Sequence, residues 1–272
     1  MNQLSLNQAT VQTSTTLELL RACSAADIRS VSLWRHQYVD GDVRLTRRAL
    51  DEHGIQATSL CRAGFFTGTR GDAEAMADNT RAVEEAAVVG APVLVLVCGP
   101  VTSSGLDDAH SRIARGIERL LPVAVDHGVT LAVEPFHPMF AAERSAIVTL
   151  GQATRLVTQF DNAHLGVAVD TYHVWWDPDL EQAIRDAADH TVAVHVADWL
   201  VPTTDLLAGR GLPGDGVINL PRLLGQLRTI GYTGPFEVEV LNRDLWKRPA
   251  TTVIVDVRDR MSALLAATSD VS

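Results

Sequence analysis

The sequence is short of cysteines, of basic residues and of long apolar runs, and each shortage excludes a class of protein. Its three cysteines, Cys23, Cys61 and Cys98, lie far apart and form no CxxC pair. A disulfide framework is therefore not expected, and we predict a reducing, cytoplasmic location.

Basic residues are outnumbered, because 23 lysines and arginines face 33 aspartates and glutamates, which gives a formal net charge of −10. This excess of negative charge disfavours electrostatic binding to nucleic acid or to an anionic membrane. The start of the chain has neither the basic patch nor the apolar stretch of a secretory signal. The most apolar run, residues 93–98, is too short to span a bilayer. We therefore expect neither nucleic acid nor a membrane as a partner.

Short runs rich in valine, leucine and isoleucine alternate with amphipathic segments along the whole chain. Eight such runs predict strands, at residues 4–7, 30–34, 57–61, 93–98, 130–134, 166–170, 192–195 and 236–241. Eight strand–helix units predict an α/β protein, a single (β/α)8 TIM barrel over residues 1–272. The alternative is a doubly wound open sheet. That fold usually carries a glycine-rich turn after its first strand, which residues 7–10 do not form.

Helix-end signals agree with these boundaries. Apolar residues three and four apart predict helices at residues 73–89 and 107–126, among others. Thr15 and Glu18 predict a capping box at the start of the first helix. Gly90 follows a helical run, where a left-handed C-terminal cap is expected.

Groups able to bind a metal ion stand at the ends of the last four predicted strands. They are Glu134, then Asp170 followed by His173, then His195 followed by Asp198, and finally Glu237 with Glu239. In a barrel of this kind, reactive side chains stand at the carboxyl ends of the strands. Alternation along a strand places Ala132 and Glu134 on the same face, and likewise Ala168 and Asp170. The small residues leave room for a pocket inside the barrel.

Several charged groups at one barrel mouth make sense if a cation compensates them, because each would be costly to bury alone. Carboxylates with one imidazole form a mixed oxygen and nitrogen site. This donor set suits one divalent ion, best Mn²⁺, with Co²⁺, Zn²⁺ or Mg²⁺ as alternatives. Ordinary ion pairs around the barrel are the other interpretation.

Five segments carry a resemblance to a known family, namely LAVEP, VDTYH, VHVAD, GRGLPGDGVINL and GYTGPFEVEV. In these segments the chain resembles the sugar phosphate isomerase/epimerase superfamily, the xylose isomerase-like barrels. The resemblance implies that the metal ligands are Glu134, Asp170, His195 and Glu239. Glu237 stands where the family usually has serine, so it adds a negative charge near the metal and leaves the choice of fourth ligand open.

The resemblance also implies substrate contacts. His173 matches a family position that contacts substrate hydroxyls, and Arg210 lies in a loop that can present its guanidinium to substrate oxygens. Trp34, Arg62 and Glu237 are the other candidates for substrate binding. A structural role for His173 and a surface position for Arg210 are the alternatives.

The implied activity is isomerisation or epimerisation of a keto sugar or sugar-like polyol. A divalent cation that coordinates the carbonyl oxygen acidifies the neighbouring C–H. Glu134 and Glu239, one on each side of the substrate, would remove and return that proton through an enediolate. His137 lies just beyond Glu134 and is a further candidate acid or base, or else it only packs its loop. A stand-alone enzyme of this kind is expected to be a homo-oligomer.

Two other functions remain open. A metal-dependent lyase of the same fold would form the same intermediate and then eliminate, as inosose dehydratase does. Around EPFHPM and SLCRAGFF the chain also resembles the large subunits of bacterial C-glycoside deglycosidases, which act on 3-keto C-glycosides with a small β-rich partner subunit. A remote alternative is a DNA-repair enzyme of the endonuclease IV type. Its additional zinc ligands are missing where the third and fourth strands end, at Cys61 and Cys98.

Overall fold

The computed structural model describes residues 3–68 and 71–268. Its strands are β1 Leu4–Asn7, β2 Ser30–Trp34, β3 Gln56–Gly64, β4 Val93–Val97, β5 Thr130–Val133, β6 Leu165–Asp170, β7 Thr191–Val196, β8 Asp198–Trp199, β9 Arg210–Gly211 and β10 Phe236–Val238. Eight of them pair in parallel and close into a barrel in the order β1-β10-β7-β6-β5-β4-β3-β2. The short β8 and β9 form a separate antiparallel pair. The predicted (β/α)8 fold is confirmed.

The α-helices are α1 Thr16–Ala25, α2 Val43–His53, α3 Asp72–Val89, α4 Leu106–Asp126, α5 Leu150–Val157, α6 Thr171–Val174, α7 Leu180–Asp186, α8 Leu220–Thr229 and α9 Ala250–Ala267. The capping box predicted for α1 is present, because Thr15 and Glu18 each accept from the other's backbone amide. Gly90 ends α3 at φ 79°, a left-handed conformation that costs glycine little. In the described part of the chain, no helix is long and apolar enough to cross a membrane.

Most predicted strand bounds agree with the structure to within one residue at each end, and two strands differ by more. Strand β3 runs on to Gly64, whose backbone amide and carbonyl are both held by the side chain of Asn79. The last strand was predicted over residues 236–241 but ends at Val238. Beyond it, the Val240 amide donates to the Thr10 hydroxyl, and the Leu241 carbonyl accepts from the amide of Arg210. Val240 and Leu241 therefore do not continue the pairing of the barrel strands. The hydrogen bond from the Arg210 amide to the Leu241 carbonyl instead holds the segment that carries Arg210.

Small side chains fill the lower part of the barrel on one side. Val93, Ala132, Ala168 and Ala193 come from four neighbouring strands and form their own buried apolar cluster. The larger leucines and valines of the strands point outward and pack against the helices. Because the inward residues are small, the polar residues that follow them at the carboxyl ends have room to converge.

Candidate metal centre

The four predicted ligands come together at the carboxyl end of the barrel. Glu134 directly follows β5, Asp170 ends β6, His195 lies in β7 and Glu239 directly follows β10. One potential ligand atom from each lies within 4.8 Å of the other three, and all four residues are buried. Within residues 3–68 and 71–268 no other such group of histidine, cysteine, aspartate and glutamate side chains forms.

Strand register brings these groups into contact. Asp170 and His195 are paired residues of β6 and β7. His195 Nδ1 lies 2.7 Å from Glu134 Oε1 and 3.9 Å from Glu239 Oε2. Arg210 Nη1 donates to Asp170 Oδ2 at 2.9 Å and to Glu239 Oε2 at 3.1 Å. The cluster is therefore a contiguous set of donor atoms rather than separate surface ion pairs.

The electrostatics of the cluster suit a divalent cation. Three carboxylates share one guanidinium, so two negative charges remain when His195 is neutral, and burying them uncompensated is costly. Burial raises the pKa of Glu239 to about 7, against the opposing effect of His195 and Arg210. Burial opposes protonation of His195, but Glu134 and its neighbours raise the pKa of the imidazole well above its usual value. The residues fit a divalent metal site of mixed oxygen and nitrogen donors.

Arg210 is not a surface residue. Its side chain is 3% exposed and lies 4.6 Å from the centre of the Tyr172 ring. Burial raises the pKa of Asp170, but Arg210 acts together with His173, His195 and the Tyr172 amide to bring it below its usual value. The guanidinium therefore neutralises part of the cluster from the side that faces the β8–β9 pair.

A network of polar side chains lies beneath the cluster. Glu237 Oε2 accepts from the Ser59 hydroxyl at 2.8 Å and lies 3.4 Å from His195 Nε2. Asn7 Nδ2 donates to Glu239 Oε1 at 3.2 Å, and Asn7 Oδ1 accepts from the indole of Trp34 at 2.8 Å. Glu237 thus supports His195 from below.

A cavity of about 260 Å³ opens above the cluster. Its walls include both acid groups proposed for catalysis, three of the predicted substrate residues and several side chains that the sequence did not single out. They are Glu134, Glu239, Trp34, Arg62, Arg210, Phe136, Arg144, Arg243 and Trp246, among others. Of the five predicted substrate residues, His173 and Glu237 are not among the lining residues.

His173 lies behind Asp170 instead. It is fully buried, its ring stacks on Phe136 at 4.1 Å, and its Nε2 is 3.6 Å from Asp170 Oδ2 and 3.3 Å from Arg210. Burial lowers the pKa of His173 to about 3. A neutral imidazole in this position packs against the cluster and helps to hold Arg210.

His137 is half-buried beside the cavity rather than in its wall. Its Nδ1 accepts from the Met139 amide at 3.2 Å. Its ring stacks on Trp199 at 5.3 Å and meets the edge of Trp176 at 5.4 Å. Burial lowers its pKa. These contacts match the loop-packing interpretation of this residue.

Asp198 lies just beyond β7, and its carboxylate is hydrogen-bonded to backbone amides. Its carboxylate accepts from the amides of Gly214, Gly216 and Ile218 at 2.9–3.0 Å. It therefore organises the loop before α8 and is not part of the metal cluster.

Sequence reasoning missed Asn7 and Arg144. Asn7 could have been found from the sequence, because it is a polar residue at the carboxyl end of the apolar strand Leu4–Asn7. Arg144 lies in an irregular loop after β5, which is held over the end of β4 by hydrogen bonds between Gly99 and both Arg144 and Ala146. No local pattern predicts that placement.

Comparison with known proteins assigns the family. A family model described as a xylose isomerase-like TIM barrel matches residues 20–263, so the chain belongs to this family. A crystal structure of protein SMc04130 from Sinorhizobium meliloti is 40% identical in sequence. Its match covers 96% of this chain and 98% of that protein, with a TM-score of 0.92.

The relatives with named activities include dehydratases and epimerases. A 3-dehydroshikimate dehydratase from Pseudomonas putida is 28% identical over 243 residues, which is 86% of this chain. This chain spans only 37% of the length of that dehydratase. A ketose 3-epimerase from Arthrobacter globiformis is 26% identical over 215 residues, 73% of this chain and 68% of the epimerase.

Proposed function

We propose that this protein is a divalent-metal-dependent isomerase or epimerase that acts on a keto sugar or sugar-like polyol. The observation that carries the proposal is the placement of Glu134 and Glu239 in the wall of one cavity. They follow β5 and β10, which β6 and β7 separate in the barrel, so the two carboxylates approach the cavity from different directions. One can remove a proton from a bound carbon acid, and the other can return it.

The ion would be held by Glu134, Asp170, His195 and Glu239, and Mn²⁺ is our choice because three of these residues offer oxygen donors and one offers nitrogen. When bound, it would polarise a carbonyl oxygen and so make the neighbouring C–H more acidic. The chain itself offers no amine for an imine route at this site. Its only lysine, Lys247, has a side chain that is 75% exposed and pairs with Asp244 at 2.6 Å.

Solvent exchange tests the proton transfer. With an accepted ketose in D₂O, deuterium should enter the carbon next to the carbonyl. Glu134→Gln and Glu239→Gln should each lower the exchange rate about 10²- to 10⁴-fold, as expected for loss of a general acid or base. Glu143→Gln is the matched control, because this exposed glutamate lies at the rim of the neighbouring cavity and outside the cluster. Turnover without deuterium uptake would point to hydride transfer and reject the proposal.

A metal-dependent lyase is the second candidate, because a relative over most of this chain is named as a dehydratase. Elimination begins with the same proton removal by Glu134 or Glu239 and then expels a leaving group. The two functions differ in the product, which is an epimer or isomer in one case and an unsaturated ketone with ultraviolet absorption in the other. Cytoplasmic location, homo-oligomerisation and association with a small β-rich subunit stay predictions.

A further inference from the structure

The guanidinium of Arg210 lies at the end of a stack of aromatic rings. It lies 4.6 Å from the centre of the Tyr172 ring, and that ring is nearly parallel to the Trp199 indole, at 4.7 Å and 24°. The indole in turn stacks on His137 at 5.3 Å and 30°. At these distances rings attract each other and attract a cation above their faces. The stack therefore runs from the half-buried His137 to the buried guanidinium.

The hydrogen bonds of Arg210 determine its orientation only in part. Its Nη1 donates to Asp170 Oδ2 and to Glu239 Oε2, and its Nη2 lies 3.3 Å from His173 Nε2. Among the described residues, the buried Nε atom of Arg210 has no hydrogen-bond partner. The polar contacts therefore hold the outer end of the guanidinium, and the Tyr172 ring supports its face.

The side chain of Tyr172 is itself firmly held. Its amide donates to Asp170 Oδ1 at 2.8 Å, where α6 begins directly after β6. Its hydroxyl donates to the Leu206 carbonyl at 2.8 Å, and the residue is 1% exposed. Arg210, by contrast, belongs to the short β8–β9 pair outside the barrel. A ring anchored next to the barrel thus supports a long side chain that reaches in from a loop region.

We propose that Tyr172 is a positioning residue, whose ring holds the Arg210 guanidinium as the counter-charge of the metal cluster. This deepens the proposed function, because Arg210 bonds two of the four proposed ligands, but its first readout requires neither metal nor substrate. An arginine side chain has many rotamers, so without the ring the guanidinium would leave the two carboxylates part of the time. The cluster would then lose part of its positive charge.

Loss of this counter-charge has a defined sign for cation binding. Asp170 also accepts from the Tyr172 amide at 2.8 Å, which does not depend on the ring. Glu239 also accepts from Asn7 Nδ2 at 3.2 Å. Both carboxylates therefore keep a hydrogen bond when Arg210 leaves, while the repulsion between its guanidinium and a divalent ion falls. We expect a less firmly held Arg210 to tighten the binding of a divalent cation.

Modification of arginines by phenylglyoxal tests the positioning directly. Peptide mapping by mass spectrometry gives the rate at each arginine of the full-length protein as purified. Tyr172→Leu removes the ring and should raise the modification rate of Arg210 about 10-fold or more. Tyr172→Phe keeps the ring and should leave that rate within about 2-fold of the natural sequence. Arg35, which is half-buried and pairs with Glu85 at 2.7 Å, is the internal reference and should not change.

A second variant acts on the stack without changing Tyr172. Trp199→Leu removes the ring beneath the tyrosine and should raise the modification rate of Arg210 about 3-fold, even if Tyr172→Leu does not fold. Protection of Arg210 in both leucine variants would overturn the proposal, because the carboxylates alone would then hold the guanidinium. An equal rise at Arg35 and Arg210 would also overturn it, since the whole barrel would then have loosened.

The dissociation constant for Mn²⁺, measured by chelator competition, gives a double-mutant cycle. Tyr172→Leu should lower this constant about 5-fold or more in the natural sequence. In the Arg210→Met background the same change should have an effect of less than about 2-fold. Equal effects in both backgrounds, or weaker Mn²⁺ binding by Tyr172→Leu, would show that Tyr172 does not act through Arg210. Absence of Mn²⁺ binding by the natural sequence would reject the proposed function instead, and the modification rates would still decide the role of Tyr172.

Discussion

The two sides of the barrel mouth differ in charge and in the way their side chains are held. The acidic side consists of Glu134, Asp170, His195 and Glu239, which lie on strands or directly after them. The arginine side consists of Trp34 at the end of β2, Arg62 in β3 and Arg144 on the loop after β5, so one of its three residues depends on a loop for its position. Rigid strands keep reacting groups in precise relative positions, whereas loops can change without disturbing the barrel. We therefore expect the proposed proton transfer on the acidic side and the predicted substrate contacts on the arginine side.

The largest expected effect comes from removing ligands on the acidic side. Asp170→Ala together with His195→Ala should abolish binding of the divalent ion and all turnover, because only two of the four proposed ligands remain. Metal content after purification without chelator is the measurement, with circular dichroism to confirm folding.

The matching change on the arginine side is the double variant Arg62→Ala and Arg144→Ala. It should bind a full equivalent of metal, because neither residue belongs to the cluster. Normal metal content in the Asp170 and His195 double variant would reject the ligand assignment. Loss of metal in the arginine variant would show that the two sides do not act separately.

The acidic side could be predicted from the sequence because strand order and alternation largely determine it. A charged residue at the end of an apolar strand in a parallel barrel must face the mouth, and Glu134 and Asp170 follow that rule. Arg144 could not be predicted in this way. Its position depends on hydrogen bonds between an irregular loop and Gly99, which leave no periodic trace in the sequence.

Glu237 shows the limit of alternation as a guide. It shares a face with Glu239, and the sequence therefore allowed either residue at the metal or against the substrate. Two residues along a strand correspond to about 7 Å of depth in the barrel. The structure accordingly has Glu237 beneath the cluster, bonded to Ser59 and outside the cavity wall. His173 is likewise behind Asp170, because the chain turns into α6 directly after β6.

A smaller effect is expected from Glu237, which lies under the acidic side. His195 has Nδ1 toward the cluster and Nε2 toward Glu237, so this carboxylate favours a proton on Nε2 and leaves the Nδ1 lone pair for the ion. Glu237→Gln and Glu237→Ser should weaken metal binding about 10- to 100-fold, the usual cost of losing such a support.

Chelator competition measures the metal affinity of these Glu237 variants. The visible spectrum of the Co²⁺ form shows whether the substitution changes the coordination of the ion. Ser59→Ala is the control, because it removes the hydrogen bond to Glu237 but keeps the carboxylate. If the Glu237 variants bind metal as tightly as the natural sequence, Glu237 only fills space beneath His195.

The smallest effect is expected from His137, which belongs to neither side. Its ring packs against Trp199 and its Nδ1 accepts from the Met139 amide, so His137→Ala should lower thermal stability slightly and change kcat less than about 3-fold. His137→Asn keeps a hydrogen-bond acceptor at this cap and should restore the stability. An eliminating lyase that used this imidazole as its acid or base would instead lose about 10²-fold or more in kcat in both variants, with metal content unchanged. Equal and large losses in the alanine and asparagine variants would therefore favour the lyase, because asparagine can cap the turn but cannot transfer the proton.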